Sequence, residues 1–114
     1  MILSEQTESF LIKNFPEIEK QLSKKEEQNK IYYTMSCFAA FTQLHIQYGN
    51  FSMVKKCFEL ANDLIIHGDE SIKSAVADCY LKQLNLEGIA QNQLIGYLPG
   101  ELKSYYRNTA KTAA

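Results

Sequence analysis

The chain has 114 residues, of which 46% are hydrophobic, a composition that suits one compact domain held together without metals or disulfides. Its 12 basic and 13 acidic residues give a net charge of −1, which excludes the strong field expected of a protein that binds nucleic acid or an anionic membrane. Arg107 is the only arginine, and the guanidinium fork is the usual means of holding phosphate. We therefore expect one domain over residues 1–109 and a frayed tail at 110–114.

The amino-terminal sequence has no basic segment followed by a long apolar run, and no window approaches the roughly 18 apolar residues of a membrane span. These absences predict a cytoplasmic protein that does not bind a membrane. The three cysteines, Cys37, Cys57 and Cys79, lie in three different predicted helices. We therefore expect reduced and buried thiols rather than a disulfide framework.

The first predicted helix has Ser4 as its cap and ends near Asn14. Pro16 follows, and it either breaks the chain or begins a second helix at its first position. The mixed charge run "KKEEQNK" at 24–30 could dock a partner, but a solvated helix face or linker explains it more simply.

The segment from Ile31 to Tyr48 is apolar over most of a helical circumference, with a narrow polar strip of Ser36, Gln43 and Gln47. A helix of this kind must be covered on several sides. The pattern therefore predicts the central helix of the domain.

Glycines follow the next predicted helix ends at intervals of 19 and 20 residues, at Gly49, Gly68 and Gly88. A glycine just past a helix end can adopt the left-handed cap conformation. Asn50 and Asp69 can then cap the helices that follow by accepting a backbone hydrogen bond. Each interval therefore predicts one helix and a tight turn.

The helix after Asn50 is amphipathic, and the next one is predicted from Glu70 to about Glu87. The inward residues of this second helix are predicted to be Ile72, Ala75, Val76, Cys79, Tyr80 and Leu86. The two helices should form an antiparallel hairpin. A short segment at 91–97 follows, and Pro99 opens a last helix.

No segment alternates apolar and polar residues in the manner of a strand, so the fold class is all-α. We predict a compact bundle of five to seven helices with antiparallel, HEAT-like helical hairpins. Two units of 19 and 20 residues together approach the lower end of HEAT and armadillo repeat lengths.

The run "FSMVKKCFELANDLIIHGDESIKSAVADCYLKQL", followed by "LIGYLPGELKSYY", resembles a group of small helical bacterial proteins of uncharacterised function. Their pattern is a helix that ends in a Gly-Asp turn and a short terminal helix after a Leu-Pro or Leu-Gly step. Some similar proteins are regarded as immunity proteins, which bind and neutralise a toxin. The resemblance covers residues 30–106 and implies a fold, and no site residue is carried over from it.

Signatures of enzymatic chemistry are absent, since the sequence contains no CxxC, HExxH, GxSxG or glycine-rich phosphate loop. We expect no enzyme and no cofactor. His45 lies with Thr42 inside the apolar arc of the central helix, which indicates a core histidine satisfied by a hydrogen bond. The alternative is a small-molecule or metal-binding regulator that uses His45 with the nearby thiols of Cys37 or Cys57.

The remaining function is a non-enzymatic protein-binding domain, either an immunity-type inhibitor or a small adaptor. Glu59 and Asp63 share the polar face of one helix, and Asp78 is central on that of the next, so they could form one acidic patch for a basic protein partner. Tyrosine is a favoured interface residue, and adjacent tyrosines cannot both face the core. The candidate tyrosines are Tyr33, Tyr105 and Tyr106.

Overall fold

The structure, a computed structural model, describes residues 1–23, 30–88 and 91–113. Its α-helices are α1 (Thr7–Asn14), α2 (Glu19–Ser23), α3 (Lys30–Gln47), α4 (Phe51–His67), α5 (Glu70–Ala75), α6 (Gln91–Gly96) and α7 (Gly100–Ala113). A π-helical stretch, Val76–Leu81, continues α5 and is called the π segment. The only extended pairing in these ranges is a single bridge, so the predicted all-α bundle of five to seven helices is confirmed.

The amino-terminal part begins with a 3₁₀ turn, Ser4–Gln6, that leads into α1. Ser4 is its first residue rather than its cap, so that prediction is wrong; the Gln6 side chain instead accepts a hydrogen bond from the Leu3 amide at 2.9 Å. Pro16 begins a second 3₁₀ turn that leads into α2, which confirms one of the two roles expected of it. Apart from Lys30, the charge run at 24–30 lies outside the described residues.

Helix α3 is the centre of the bundle, as predicted, because α1, α2, α4, α5 and the π segment all pack against it. Two members of its polar strip contact the chain beyond the π segment. Ser36 accepts a hydrogen bond from the Gln83 side chain at 2.8 Å. The Gln43 side chain accepts from the Asn85 amide at 2.8 Å and donates to the Asn85 carbonyl at 3.2 Å. The strip therefore holds a neighbouring segment in place.

The turn between α3 and α4 contains Gly49 in the left-handed region, at φ +72°, as predicted. Asn50 caps α4 through its backbone carbonyl, which accepts from the Val54 amide at 3.1 Å. The predicted side-chain cap is wrong, because the Asn50 side chain lies against Ser52 and His45 instead, at 3.3 Å from each.

The turn between α4 and α5 binds the amino-terminal end of the chain. The Ile2 amide donates to the His67 carbonyl at 2.6 Å, and the Asp69 amide donates to the Ile2 carbonyl at 3.0 Å, as in a parallel β-bridge. Gly68 between them is extended, at φ −82° and ψ 162°, so the predicted left-handed cap is wrong at this position. The extended backbone directs the flanking peptide groups towards Ile2.

Asp69 is the cap of α5, as predicted, and it has a second role. Its Oδ1 accepts from the Ile72 amide at 2.9 Å, and its Oδ2 accepts from the Ser4 amide at 2.9 Å. One carboxylate therefore stabilises the first turn of α5 and the first turn of the chain.

The helix predicted from Glu70 to about Glu87 begins as α5 and continues through the π segment. It differs from its prediction in its helical pitch and in the residue at which it ends. Ala75 and Val76 are buried, and the next buried pair is Tyr80 and Leu81, five residues further on. A π-helical turn closes hydrogen bonds five residues apart, so it aligns positions at this spacing. Cys79, which was predicted to face inward, is therefore only half-buried.

The helical backbone stops at Gln83 rather than at Glu87, because the Asn85 peptide groups bond to Gln43 instead of continuing the helix. Leu86 is buried as predicted, although it lies beyond the helix. Gly88 has a positive φ of 126°, as expected of a glycine at a turn.

Helix α7 packs along both α4 and the π segment, and its Leu102 is buried. The Leu102 amide donates to Asn62 Oδ1 at 2.9 Å. Pro99 precedes this helix, and its carbonyl accepts from the Lys103 amide at 2.7 Å. The helical backbone reaches Ala113, and the fraying of 110–114 stays a prediction.

Candidate functional site

The most polar part of the core joins α3, α4 and the π segment. The Tyr80 hydroxyl lies 2.9 Å from Thr42 Oγ1, which donates to the Phe38 carbonyl at 2.9 Å. The Tyr80 ring stacks on Phe38 at 4.6 Å between centroids, and Cys57 contacts Thr42. No described buried side-chain polar atom lacks a hydrogen bond, so the polar atoms of this cluster are satisfied within the core.

The three cysteines are free. Cys57 is buried as predicted, whereas Cys37 and Cys79 are half-buried. Burial raises the pKa of the Cys57 thiol to about 11, against a smaller lowering by its hydrogen bond to Thr42. Burial also raises the pKa of Cys37 and of Cys79. A nucleophilic thiol is favoured by a lowered pKa, and the pKa of each of these three thiols is shifted in the opposite direction.

The raised thiol pKa predicts a loss of stability in alkali. Above about pH 9 the unfolded chain releases the Cys57 proton, while the folded chain retains it until about pH 11. The folded state then binds more protons, so the free energy of unfolding should fall by about 2 kcal/mol through this window. Urea unfolding at pH 8, 9, 10 and 11 measures the change.

The matched control for this prediction is Cys57→Ala, which removes the thiol and retains Tyr80. Burial raises the pKa of Tyr80 well above its ordinary range, so this hydroxyl adds to the loss at the alkaline end in both proteins. Between pH 9 and pH 10 the variant should lose about 1 kcal/mol less than the wild type. Parallel pH profiles would contradict the assignment.

His45 is half-buried near the end of α3 rather than fully in the core, so its predicted core position is wrong. The ring meets Phe41 edge-on at 4.7 Å between centroids, and Nδ1 lies 3.3 Å from the Asn50 side-chain amide. Within residues 1–23, 30–88 and 91–113, no three His, Cys, Asp or Glu side chains come close enough together to hold a metal ion. The arrangement around His45 therefore gives no support to the metal-binding alternative.

The predicted acidic residues Glu59, Asp63 and Asp78 are all exposed, and none forms an ion pair with a described residue. The two lysines nearest to them on α4 are directed elsewhere. Lys55 Nζ lies 4.9 Å from the centre of the Tyr97 ring, and Lys56 Nζ lies 5.4 Å from that of Phe15. That these three carboxylates lie together in one acidic patch stays a prediction.

The three candidate tyrosines are all half-buried. Tyr105 and Tyr106 are half-buried against the core, and Tyr33 is half-buried with a hydrogen bond to the Cys37 thiol. Tyr32 is exposed, with 39% of its surface accessible, and was not selected from the sequence. The sequence did contain a signal for this difference in exposure, namely that Tyr32 and Tyr33 are adjacent. Adjacent residues of a helix point about 100° apart and therefore face different surroundings.

Comparison with known proteins gives a family. A family described as "Domain of unknown function (DUF7674)" matches residues 9–112. The chain belongs to this family. Neither the curated proteins nor the solved structures include a significant match. The predicted relation to small proteins of uncharacterised function is therefore supported at the level of the family, and its HEAT-like and immunity parts gain no support.

Membership of this family carries no assigned chemistry, so function must be argued from the surface of the bundle. Every helix in the described ranges is too short or too polar to cross a bilayer. On α4, two exposed carboxylates four residues apart, Glu59 and Asp63, form no ion pair with a described residue.

Proposed function

We propose that this member of the DUF7674 family is a non-enzymatic, cytoplasmic protein-binding domain that presents the acidic face of α4 to a basic partner. The supporting observation is that the two lysine side chains of α4 contact aromatic rings rather than the carboxylates of the same helix. Lys55 and Lys56 lie over aromatic rings of other elements, and Glu59 and Asp63 form no ion pair with a described residue.

Glu59 and Asp63 are four residues apart on one helix face, and like charges at this spacing destabilise a helix by about 0.2–0.5 kcal/mol. Lys55, one turn before Glu59, could reduce this repulsion but contacts Tyr97. A basic partner would relieve the repulsion on binding. Charges of this kind act mainly on the rate of association and make it depend on salt.

An immunity-type inhibitor fits this proposal, because such a protein works by binding a partner and needs no catalytic group. A small adaptor fits it equally. The regulator built on His45 and the thiols has less support, since the contacts of His45 are with Phe41 and Asn50. Metal titration together with thiol titration tests it directly, because a bound metal or a fast native thiol would favour the regulator.

The test of the acidic face is triple charge reversal, Glu59→Lys with Asp63→Lys and Asp78→Lys. With a partner captured from the source cells, association at low salt should slow by about tenfold, and the difference should shrink in high salt. Surface plasmon resonance at two salt concentrations measures both rates.

A matched control makes the same change in charge at exposed glutamates outside α4 and the π segment. These are Glu17, Glu87 and Glu101, each replaced by Lys. At low salt the control should slow association several-fold less than the first variant, and at high salt the two variants should converge because the overall field is screened. Equal slowing of both variants at low salt would show a general effect of charge and would contradict the assignment to α4. Unchanged binding by the first variant would contradict the proposal and direct the search to Tyr33, Tyr105 and Tyr106.

A further inference from the structure

Two depressions adjoin one another around the first turn of α3. One, of about 310 Å³, is lined by Ser4, Glu5, Glu8, Lys30, Ile31 and Thr34. The other, of about 320 Å³, is lined by Ile31, Tyr32, Glu70, Ser71 and Ser74. Because both include Ile31, they form one two-lobed surface, here called the α3 trough.

The turn between α4 and α5 joins the segments that line the two lobes of the α3 trough. The Asp69 carboxylate accepts from the Ser4 amide, and Glu70 follows Asp69 directly. Ile2 is hydrogen-bonded to the same turn through both of its backbone polar groups. Glu5 and Glu70, which are distant in sequence, are therefore held on one surface, Glu5 in the first lobe and Glu70 in the second.

The charge of the α3 trough is negative. Among the described residues that line it, Lys30 is the only cation, and its Nζ lies 2.8 Å from Glu8 Oε1, so these two charges offset each other. Glu5 has no ion pair with a described residue. Glu70 lies 3.8 Å from Lys73, and its side chain is 92% exposed, a geometry that neutralises it weakly. One carboxylate in each lobe therefore remains available to a cation.

The α3 trough also has apolar lining, provided by Ile31 and Tyr32. Ile31 is half-buried and common to both lobes, and Tyr32 exposes 39% of its surface in the second lobe. Long basic side chains combine an apolar stem with a charged head, and arginine also stacks on tyrosine rings. An apolar residue shared by both lobes, with one available carboxylate in each lobe, matches two such side chains.

We propose that the α3 trough binds an extended, basic segment of a protein partner, with one Lys or Arg side chain in each lobe and the backbone crossing Ile31. Alternate residues of an extended chain point to the same face, so two basic residues separated by one other would present both heads to the trough. This inference rests on the proposed protein-binding function, but it concerns a surface distinct from the acidic face of α4.

The probe is a synthetic peptide, Gly-Ser-Arg-Ser-Arg-Ser-Gly, titrated into the full chain and followed by NMR chemical shifts. The amide signals of Ile31, Tyr32 and Ser71 should move, and the same peptide with glutamine in place of both arginines should move them little. Glu5→Gln combined with Glu70→Gln should weaken binding by about fivefold or more. Tyr32→Leu, which retains apolar area, should weaken it by about twofold or more.

The matched control is Glu87→Gln combined with Glu101→Gln, which makes the same change in charge at exposed residues outside the α3 trough and outside α4. Binding to this variant should stay within about twofold of the wild type. Equal losses in both double variants, or shifts confined to α4, would overturn the inference. A peptide that binds neither surface would overturn it as well, whereas the proposed function is judged separately by the partner association rates. Should the Glu5/Glu70 variant fail to fold, Tyr32→Leu decides the outcome by itself.

Discussion

Replacement of Gly68 with alanine should lower the free energy of unfolding by about 3 kcal/mol. A Cβ at this position would overlap the Leu64 carbonyl oxygen and lie 2.6 Å from Ile72 Cγ2. The Leu64 carbonyl is helix backbone and already accepts the Gly68 amide at 2.8 Å, so it cannot move without disrupting the end of α4. The backbone angles of Gly68 are ordinary, and the expected effect is therefore one of space alone. Urea unfolding measures the change.

Two other glycines provide controls with open space around them. Gly100 is the first residue of α7, and Gly100→Ala should change stability by less than about 1 kcal/mol, in the stabilising direction. Gly49 has φ +72°, and Gly49→Ala should cost about 1 kcal/mol through backbone strain. A Gly68→Ala protein no less stable than the Gly49→Ala protein would contradict the close packing at the turn.

Asp69→Ala should destabilise the fold by about 2–3 kcal/mol. The substitution removes the acceptor of two amides, those of Ile72 and Ser4, at the starts of two helical turns. Hydrogen bonds to an ionised acceptor are stronger than neutral ones, so the loss should exceed that of an ordinary cap. Asp69→Asn should fall between the wild type and Asp69→Ala, because it keeps one oxygen.

Asp63→Ala is the matched control for Asp69→Ala. It removes the same group from an exposed site on α4 that forms no ion pair with a described residue, so it should change stability by less than about 0.5 kcal/mol. Thermal or urea unfolding of both proteins at one pH makes the comparison. Similar effects of the two substitutions would show that the Asp69 carboxylate is not held as described.

The bounds of α3 and α4 could be predicted because each depends on local signals, a long apolar arc and a glycine at its end. The π segment could not, since the helical template expects inward residues three and four positions apart, whereas Tyr80 and Leu81 repeat Ala75 and Val76 at five. For the same reason Cys79 was placed inward and Leu81 was missed.

The turn after α4 shows a second limit of local sequence. Asp69 caps a helix by bonding the amide three residues on, and a pattern of that length is readable. The second bond of Asp69 joins it to Ser4, 65 residues away, and the extended conformation of Gly68 depends on the same distant segment. No short pattern encodes a contact at that separation.

The candidate surface was predictable in part. The polar positions of α4 are exposed as expected, because one amphipathic face is enough to place Glu59 and Asp63. The choice between Tyr32 and Tyr33 depended on which neighbours cover the first turn of α3, and Tyr32 proved the more exposed. The aromatic contacts of Lys55 and Lys56 also come from other elements, and their charges therefore could not be assigned in advance.

The two bonds between Gln43 and Asn85 have a consequence for the order of folding. In a β-sheet, a neighbouring strand can donate one hydrogen bond to a residue and accept another from it. The side-chain amide of Gln43 does both for the backbone of Asn85. These bonds span 42 residues, so they can form only after α3 and the π segment have packed. We expect the chain from Leu84 to Gly88 to adopt its final conformation late in folding, after the helices of the bundle have packed.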